Sequence, residues 1–233
     1  MAVCIVLLAL GAICLALFLI EKIRKYSVKE TLIKACTSFL FIILATYCNY
    51  HNGGHPFGFF VICALALGLM GDIWLDLKYV FPEQNRIFTY AGFISFAIGH
   101  IFYIIGMMTC FRYDHQWYSY VIPIVLGLVG GALVILLEKP LKMKYGEYKA
   151  ICFIYGTILF TMTATTIYLT CTQSFQVPAF NMLFAGGVLF AVSDLILSGT
   201  YFAENRENPI DIISNSMTYY FAQYLIAFSL FFI

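Results

Sequence analysis

Three carboxylates and one imidazole stand inside or at the ends of strongly apolar stretches of this sequence. Asp72 and Asp76 close one apolar run, His100 stands in the next, and Asp194 comes late in another. An ionisable group inside a membrane span costs roughly 3 kcal/mol to insert, so it usually faces the interior and has a function. We therefore predict that Asp72, His100 and Asp194 converge on one intramembrane site.

A pair of carboxylates with a nearby imidazole suits general acid–base catalysis. In a medium of low dielectric constant, one carboxyl group of such a pair is protonated while the other is ionised. Ser193 is a candidate nucleophile beside Asp194, but no second deep histidine is available as its base. The sequence contains no Gly-x-Ser-x-Gly elbow and no Gly-rich phosphate loop. We assign catalytic roles to Asp72, Asp194 and His100.

Other polar side chains share helical faces with these residues or lie beside them. Tyr103 lies three residues after His100 and so shares its helical face. The last apolar run carries Tyr220, Gln223 and Tyr224. Lys34 is expected to extend its ammonium toward the interface, where it would meet a phosphate. Asp76, closer to the end of its run, is predicted to be hydrated and interfacial. The predicted substrate-binding residues are Tyr103, Ser193, Tyr220, Gln223 and Lys34.

No metal site or cofactor is predicted. His51 and His55 are four residues apart, but Gly53, Gly54 and Pro56 predict a turn there, whereas such a pair binds zinc well on a helix. Asp114 and His115, in the fourth connection, are expected on the same side of the membrane as His51 and His55. The eight cysteines include no Cys-x-x-Cys pair, so we interpret them as small apolar residues without disulfide or metal roles.

The composition places these residues in a membrane protein. Of the 233 residues, 62% are hydrophobic and 11% are charged, whereas soluble domains carry about 25% charged residues. A span needs about 20 mostly apolar residues. The sequence predicts an all-α polytopic protein, one domain over 1–233, with eight transmembrane helices in one bundle: 2–20, 31–49, 57–76, 88–110, 118–137, 147–171, 178–199 and 211–232. The sequence contains no basic stretch with interleaved aromatic residues, so binding of nucleic acid is not predicted. The apolar spans make the lipid bilayer the predicted partner.

The distribution of positive charge predicts the orientation in the membrane. The first, third, fifth and seventh connections, with their helix flanks, form what we call the odd-connection end. Twelve of the 13 Lys and Arg residues lie there: Lys22, Arg24, Lys25, Lys29, Lys34, Lys78, Arg86, Lys139, Lys142, Lys144, Lys149 and Arg206. The exception is Arg112. Because cytoplasmic loops carry the excess of positive charge, we expect the odd-connection end in the cytoplasm and both termini on the other side. The membrane would be the plasma membrane of a bacterium or the endoplasmic reticulum of a eukaryote.

Depth in the membrane follows from the helical rise. Asp72 and Asp194 lie about two turns or less from the odd-connection end, and His100 lies nearer to mid-membrane. The expected pocket therefore opens to the cytoplasmic leaflet.

Four short motifs in order resemble the YhhN-like membrane protein family, which includes the lysoplasmalogenases. A Gly-Asp-x-x-Leu motif is followed by Gly/Ala-His-x-x-Tyr, Phe-x-x-Ser-Asp and Tyr-x-Ala-Gln, and their order and spacing match over nearly the whole chain. In this sequence they are Gly71-Asp-Ile-Trp-Leu75, Gly99-His-Ile-Phe-Tyr103, Phe190-Ala-Val-Ser-Asp194 and Tyr220-Phe-Ala-Gln223. One departure is Lys34-Ala35, where the family often has Lys-Pro.

The resemblance implies an intramembrane hydrolase that cleaves the vinyl ether bond of lysoplasmalogens, which are lysophospholipids. The products would be a fatty aldehyde and a glycerophospho-base, formed by carboxylate general acid–base catalysis without a cofactor. Two other classes stay open at this point. One is a proton-coupled membrane transporter, whose aspartates relay protons. The other is a metal-dependent lipid amidase of the alkaline ceramidase type, which would need several histidines around one metal.

Overall fold

The computed structural model describes residues 1–24, 27–111, 116–203 and 208–233. Eight long α-helices account for most of these described residues: α1 (Ala2–Arg24), α2 (Val28–His51), α3 (Pro56–Val80), α4 (Asn85–Cys110), α5 (Tyr118–Leu136), α6 (Lys149–Thr172), α7 (Pro178–Phe202) and α8 (Pro209–Ser229). Short 3₁₀ turns cover Pro82–Gln84, Gly146–Tyr148 and Leu230–Phe232. Five residues discussed above lie outside the described ranges: Lys25, Arg112, Asp114, His115 and Arg206.

Length and composition make these helices suitable for crossing a membrane. Within the described residues, seven helices, α1 to α7, are long and apolar enough to do so. The eighth helix, α8, is not among them, because many of its 21 residues are Asp, Asn, Ser, Thr, Tyr or Gln. The predicted all-α class is confirmed, and these helices fit an integral membrane protein.

Local sequence signals explain where several helices begin. The Ser27 side chain accepts a hydrogen bond from the backbone N–H of Glu30 and caps α2. At α3, α7 and α8 a proline occupies the first helical position, where its missing N–H costs nothing. Between α2 and α3, Gly53 and Gly54 adopt φ angles of 84° and 79°, which other residues rarely tolerate. The predicted turn between His51 and His55 is confirmed.

The helices pack largely as sequential neighbours, with α5 set apart. Helix α3 packs against α4, α5 against α6 and α7 against α8, while α2 joins α1, α3 and α8. Helix α6 also packs against α4 and α7. Among the described residues, the buried apolar core draws on every long helix except α5. Helix α5 therefore lies outside the core, attached mainly through α6.

Glycines permit the closest contacts between helices. A Cβ atom on Gly71 of α3 would lie 2.6 Å from the ring of Phe96 on α4. A Cβ atom on Gly186 of α7 would lie 2.7 Å from Ile226 and 3.1 Å from the carbonyl oxygen of Ala222 on α8. Small residues at these positions let α3 approach α4 and α7 approach α8. Asp72 lies on the first of these helix pairs and Asp194 on the second.

Candidate active site

Asp72 on α3 lies at the centre of a buried polar network. Its Oδ2 atom accepts hydrogen bonds from the Ser38 hydroxyl at 2.6 Å and from the Tyr219 hydroxyl at 2.8 Å. Its Oδ1 atom lies 3.5 Å from the Lys34 ammonium. Two hydroxyl donors and one nearby cation stabilise the ionised carboxylate. Groups from α2 and α8 therefore surround Asp72 with the contacts that an ionised carboxylate needs.

A hydrogen-bonded chain leads from Asp72 deeper into the protein. The Tyr219 hydroxyl donates to Asp72 and accepts from Nε2 of Gln223 at 3.2 Å. The Tyr103 hydroxyl donates to Oε1 of Gln223 at 3.1 Å. Each group in this chain is buried and satisfied by its neighbour, which fixes the orientation of Tyr219 toward Asp72.

Tyr220, the neighbour of Tyr219, contacts Asp72 only through another residue. Its hydroxyl lies 3.1 Å from Oγ of Ser38 and 3.3 Å from the backbone carbonyl oxygen of Lys34. Because Ser38 gives its own proton to Asp72, the single phenol proton of Tyr220 is shared between these two oxygens, and Tyr220 supports the serine that orients this carboxylate. Tyr219, which the sequence analysis did not select, is the tyrosine that reaches Asp72 directly.

Asp76 is buried and paired, so the prediction that it is hydrated at the interface is wrong. It is 2% exposed, and its Oδ1 atom lies 2.8 Å from the Lys22 ammonium and 3.1 Å from the Lys34 ammonium. Lys22 also pairs with the buried Glu30 at 3.0 Å. These charges come from α1, α2 and α3, and burying them in pairs offsets the cost of removing each from water.

Lys34 also differs from the free interfacial lysine that the sequence suggests. Its side chain is 13% exposed and is shared between Asp72 and Asp76. The ammonium further donates to the backbone carbonyl of Asp72 at 3.4 Å. Lys34 therefore connects the ion pairs at the odd-connection end with the deeper carboxylate.

Asp194 on α7 has a different environment. Its Oδ2 atom accepts a hydrogen bond from the Tyr155 hydroxyl on α6. Nε2 of His100 on α4 lies 3.3 Å from the same hydroxyl. Since a phenol has one proton, which Tyr155 gives to Asp194, Nε2 of His100 is the donor to Tyr155. Among the described residues, no lysine or arginine forms an ion pair with Asp194.

Aromatic rings separate the two carboxylate environments. Phe96 and Phe190 contact each other edge to face with ring centroids 6.2 Å apart, and each also contacts the ring of Tyr219. The imidazole of His100 packs edge to face on Phe190 at 4.6 Å. These rings keep the Tyr219 side and the His100 side as separate hydrogen-bonded groups.

Two cavities meet at Asp194. A polar cavity of about 60 Å³ lies among the ends of α1, α2, α3, α7 and α8, and its lining includes Lys22, Lys34, Asp72, Asp76, Ser193 and Asp194. A larger, mostly apolar cavity of about 380 Å³ lies among α4, α5, α6 and α7, and its lining includes Tyr155 and Asp194. Leu75, Phe96, Leu197 and Tyr201 also line both. The site therefore joins a polar space to a larger apolar one.

The predicted site residues divide into those that line the polar cavity and those behind it. Asp72, Asp194, Lys34, Ser193 and Tyr220 line it. Ser193 is buried, and its carbonyl and hydroxyl oxygens both accept from the Asn215 side chain. In the described structure His100, Tyr103 and Gln223 line neither large cavity and reach the carboxylates through Tyr155 and Tyr219.

His51 and His55, at the opposite end of the described structure, have structural contacts. The Nδ1 atom of His55 accepts from the backbone N–H of Phe57 at 3.2 Å and caps α3. The His55 ring stacks on Phe111, and the His51 ring stacks on Phe231. Within the described residues there is no group of three or more His, Cys, Asp and Glu side chains arranged to hold a metal ion.

The fold and the buried site define a class of protein: an all-helical integral membrane protein with ionisable side chains enclosed among its helices. The chain belongs to the YhhN family, whose family model matches residues 29–230. That match spans all four sequence motifs and confirms the family that they indicate. No curated protein and no solved structure matches the chain.

Proposed function

We propose that this protein is a lysoplasmalogenase, an intramembrane hydrolase that cleaves the vinyl ether bond of a lysophospholipid. The observation that carries the proposal is that Asp72 and Asp194, from two different helices, line one polar cavity that adjoins an apolar one. Family membership is consistent with this activity. The products are a fatty aldehyde and a glycerophospho-base.

Asp194 is the better candidate for the acid that starts the reaction. It receives one hydrogen bond, from a neutral phenol, whereas Asp72 receives two and lies near an ammonium. A buried carboxyl group without a cation partner favours the neutral, protonated form. Since Oδ2 accepts from Tyr155, the proton for the substrate resides on Oδ1. Asp194 transfers this proton to the vinyl carbon farther from the ether oxygen, which leaves an oxocarbenium ion.

Asp72 then serves as the carboxylate. Its negative charge stabilises the oxocarbenium ion, much as one carboxylate does in glycoside cleavage. It accepts a proton from the water that attacks the cationic carbon, and a hemiacetal forms. When the hemiacetal collapses, the glycerol oxygen leaves with the proton from Asp72, and the hemiacetal hydroxyl returns its proton to Asp194. One water is consumed, and both carboxyl groups end in their starting states.

The remaining polar groups position the reactants. Tyr155 orients Asp194, and His100 orients Tyr155, while Ser38 and Tyr219 orient Asp72. Lys22 and Lys34 line the polar cavity, where their pairing with Asp72 and Asp76 gives the head group a polar, charge-balanced surface. Gln223, Tyr103 and Tyr220 act through these residues.

We further propose that the substrate comes from the cytoplasmic leaflet. The helix segments that line the cavities lie toward the odd-connection end: residues 194–202 of α7 contribute to both cavities, and residues 152–160 of α6 contribute to the apolar one. In a lysoplasmalogen the vinyl ether lies next to the glycerol, just below the head group. Asp194 lies about 12 Å from the end of α7 at 1.5 Å per residue, a depth that suits this bond.

The test is aldehyde release by the purified full-length protein. Lysoplasmalogen is compared with lysophospholipids that carry the same chain through a saturated ether or an ester. Aldehyde from the vinyl ether alone supports the proposal. Release of fatty acid from the ester, or solute uptake into proteoliposomes without aldehyde, would replace it with an esterase or a transporter.

A further inference from the structure

The apolar cavity lies in a cleft between α5 and α7. Its floor is α6, with Tyr155 and Leu159, and its walls include Leu133 of α5 and Leu195 of α7. Both wall helices pack on α6, and α7 also packs on α8. The described part of α5 makes no extensive contact with α7 along its length. A gap therefore remains between these two helices above the floor.

The cleft is covered at the odd-connection end. Met143, from the connection between α5 and α6, forms a β-bridge with Ala203 just after α7. The backbone N–H of Lys144 donates to the carbonyl of Phe202 at 2.8 Å, and the rings of Tyr145 and Phe202 lie 5.0 Å apart. This connection therefore ties α5 to α7 at the end where water would enter.

The side of the cleft is not covered in this way. Leu126, Val129 and Leu133 of α5 line the cavity and are also 52%, 51% and 49% exposed. Leu195 of α7 lines the opposite wall and is 49% exposed. Residues this exposed on membrane-spanning helices contact hydrocarbon. The same side chains thus belong to the cavity wall and to the lipid-facing surface.

We propose that the hydrocarbon chain of a single-chain phospholipid enters sideways from the bilayer between α5 and α7 and occupies this cleft. The cleft leads past Asp194 into the polar cavity, where the Lys22 and Lys34 ammoniums lie. An apolar passage that opens into a polar cavity is complementary to an amphiphile with one hydrocarbon chain and a polar head group. The proposal rests on the proposed function for its choice of a lysophospholipid, and it adds the route and the chain site.

The experiment uses a lysophospholipid that the proposed reaction cannot cleave. Its chain is attached through a saturated ether and carries a photoreactive diazirine near the far end. The full-length protein in lipid nanodiscs is irradiated with this probe, and mass spectrometry locates the labelled residues. We expect labels on cavity residues of α5, α6 and α7, such as Leu126, Leu159 and Phe160. Labels spread evenly over the outer surfaces of all helices would overturn the proposal.

Matched substitutions test the lateral opening. Leu133→Trp and Leu195→Trp each narrow the gap, and we expect labelling of α6 to fall about tenfold because overpacking weakens binding to that extent. Leu128→Trp and Val192→Trp are the controls, since these residues are 47% and 40% exposed but do not line the cavity. Equal labelling in all four variants would mean that the chain does not pass between α5 and α7.

The experiments distinguish failure of the proposed function from failure of the proposed entry route. Cleft labelling without cleavage of lysoplasmalogen would refute the hydrolase and keep the chain site. Cleavage that Leu133→Trp and Leu195→Trp leave unchanged would keep the hydrolase and refute the route.

Discussion

The two carboxylates that share the polar cavity differ in almost every contact. Asp72 has two hydroxyl donors, an ammonium at 3.5 Å and, through Lys34, a link to the buried Asp76. Asp194 has one phenol donor and borders a large apolar cavity. The first environment offers more contacts to an ionised carboxylate, and the second suits a group that gains and loses a proton. Unequal surroundings of this kind let two identical side chains take opposite roles.

The two sides of the site are also expected to differ in how much they contribute to the stability of the fold and to catalysis. The Asp72 side joins α1, α2, α3 and α8 through ion pairs and hydrogen bonds. The Asp194 side joins α4, α6 and α7 through a single line of three groups, His100, Tyr155 and Asp194. Loss of a charged group on the first side should weaken the fold, whereas loss of the carboxyl group on the second side should mainly weaken the reaction.

The largest effect should come from removing either reacting carboxylate. We expect Asp72→Asn and Asp194→Asn each to lower kcat by about 10²–10⁴-fold, because general acid–base catalysis contributes that much. Asn keeps the size of the side chain and loses its acid–base chemistry. Aldehyde release from lysoplasmalogen measures the change, with size-exclusion profiles as the control for folding. Near-normal activity in either variant would make that carboxylate structural.

A large effect on stability is expected on the Asp72 side alone. Asp76→Asn removes the carboxylate that Lys22 and Lys34 share. Lys22 keeps Glu30 and Lys34 keeps Asp72, so we expect a loss of about 2–3 kcal/mol, as for lost hydrogen bonds to charged groups. Asp194→Asn removes no cation's partner, so we expect a change within about 1 kcal/mol. Unfolding of the two variants in the same detergent gives the comparison. If both lose equal stability, the two environments do not differ in the way described.

A smaller effect should follow from loss of the group that orients Asp194. Tyr155→Phe removes the hydroxyl between His100 and Asp194, and we expect kcat to fall about tenfold with little change in KM, because one hydrogen bond is lost. Tyr168→Phe is the matched control on the same helix, since its hydroxyl pairs with Ser119 at 2.9 Å, away from both cavities. Equal losses in the two variants would indicate a general effect on α6 instead of an effect on Asp194.

The sequence predicts the helices well because apolar runs and their end signals are local. It predicts the bounds of α5 as 118–137, and the helix is Tyr118–Leu136. It also selects Asp72 and Asp194, since carboxylates inside apolar runs are conspicuous. The burial of Asp76 could not be predicted, because it depends on lysines 54 and 42 residues away in the chain.

The missed tyrosines show a similar limit. Tyr155 belongs to no motif, and only the packing of α6 between α4 and α7 brings it to His100 and Asp194. Tyr219 did leave a signal, since it lies four residues before Gln223 and so shares its helical face. The motif directs attention to Tyr220 instead, whose hydroxyl reaches Asp72 only through Ser38.

The smallest effect should come from removal of divalent metal, and it distinguishes the proposed hydrolase from the amidase alternative. A divalent cation at Asp72 would compete with the Lys34 ammonium and the two hydroxyls that already bind this carboxylate. At Asp194 the cation would meet a single carboxylate, whose Oδ2 atom already accepts a hydrogen bond from Tyr155. The Nε2 atom of His100 is not available as a ligand, because it donates a hydrogen bond to the same Tyr155 hydroxyl. A catalytic zinc centre takes three protein ligands and an open position, so both carboxylates are poorly placed to bind one. We therefore expect a chelator to change aldehyde release by less than about twofold, a difference of roughly 0.4 kcal/mol in the barrier. The control is a zinc-dependent hydrolase in the same detergent, which must lose activity. Loss of aldehyde release with the chelator, restored by added zinc, would show that the reaction depends on a metal and would favour the amidase class.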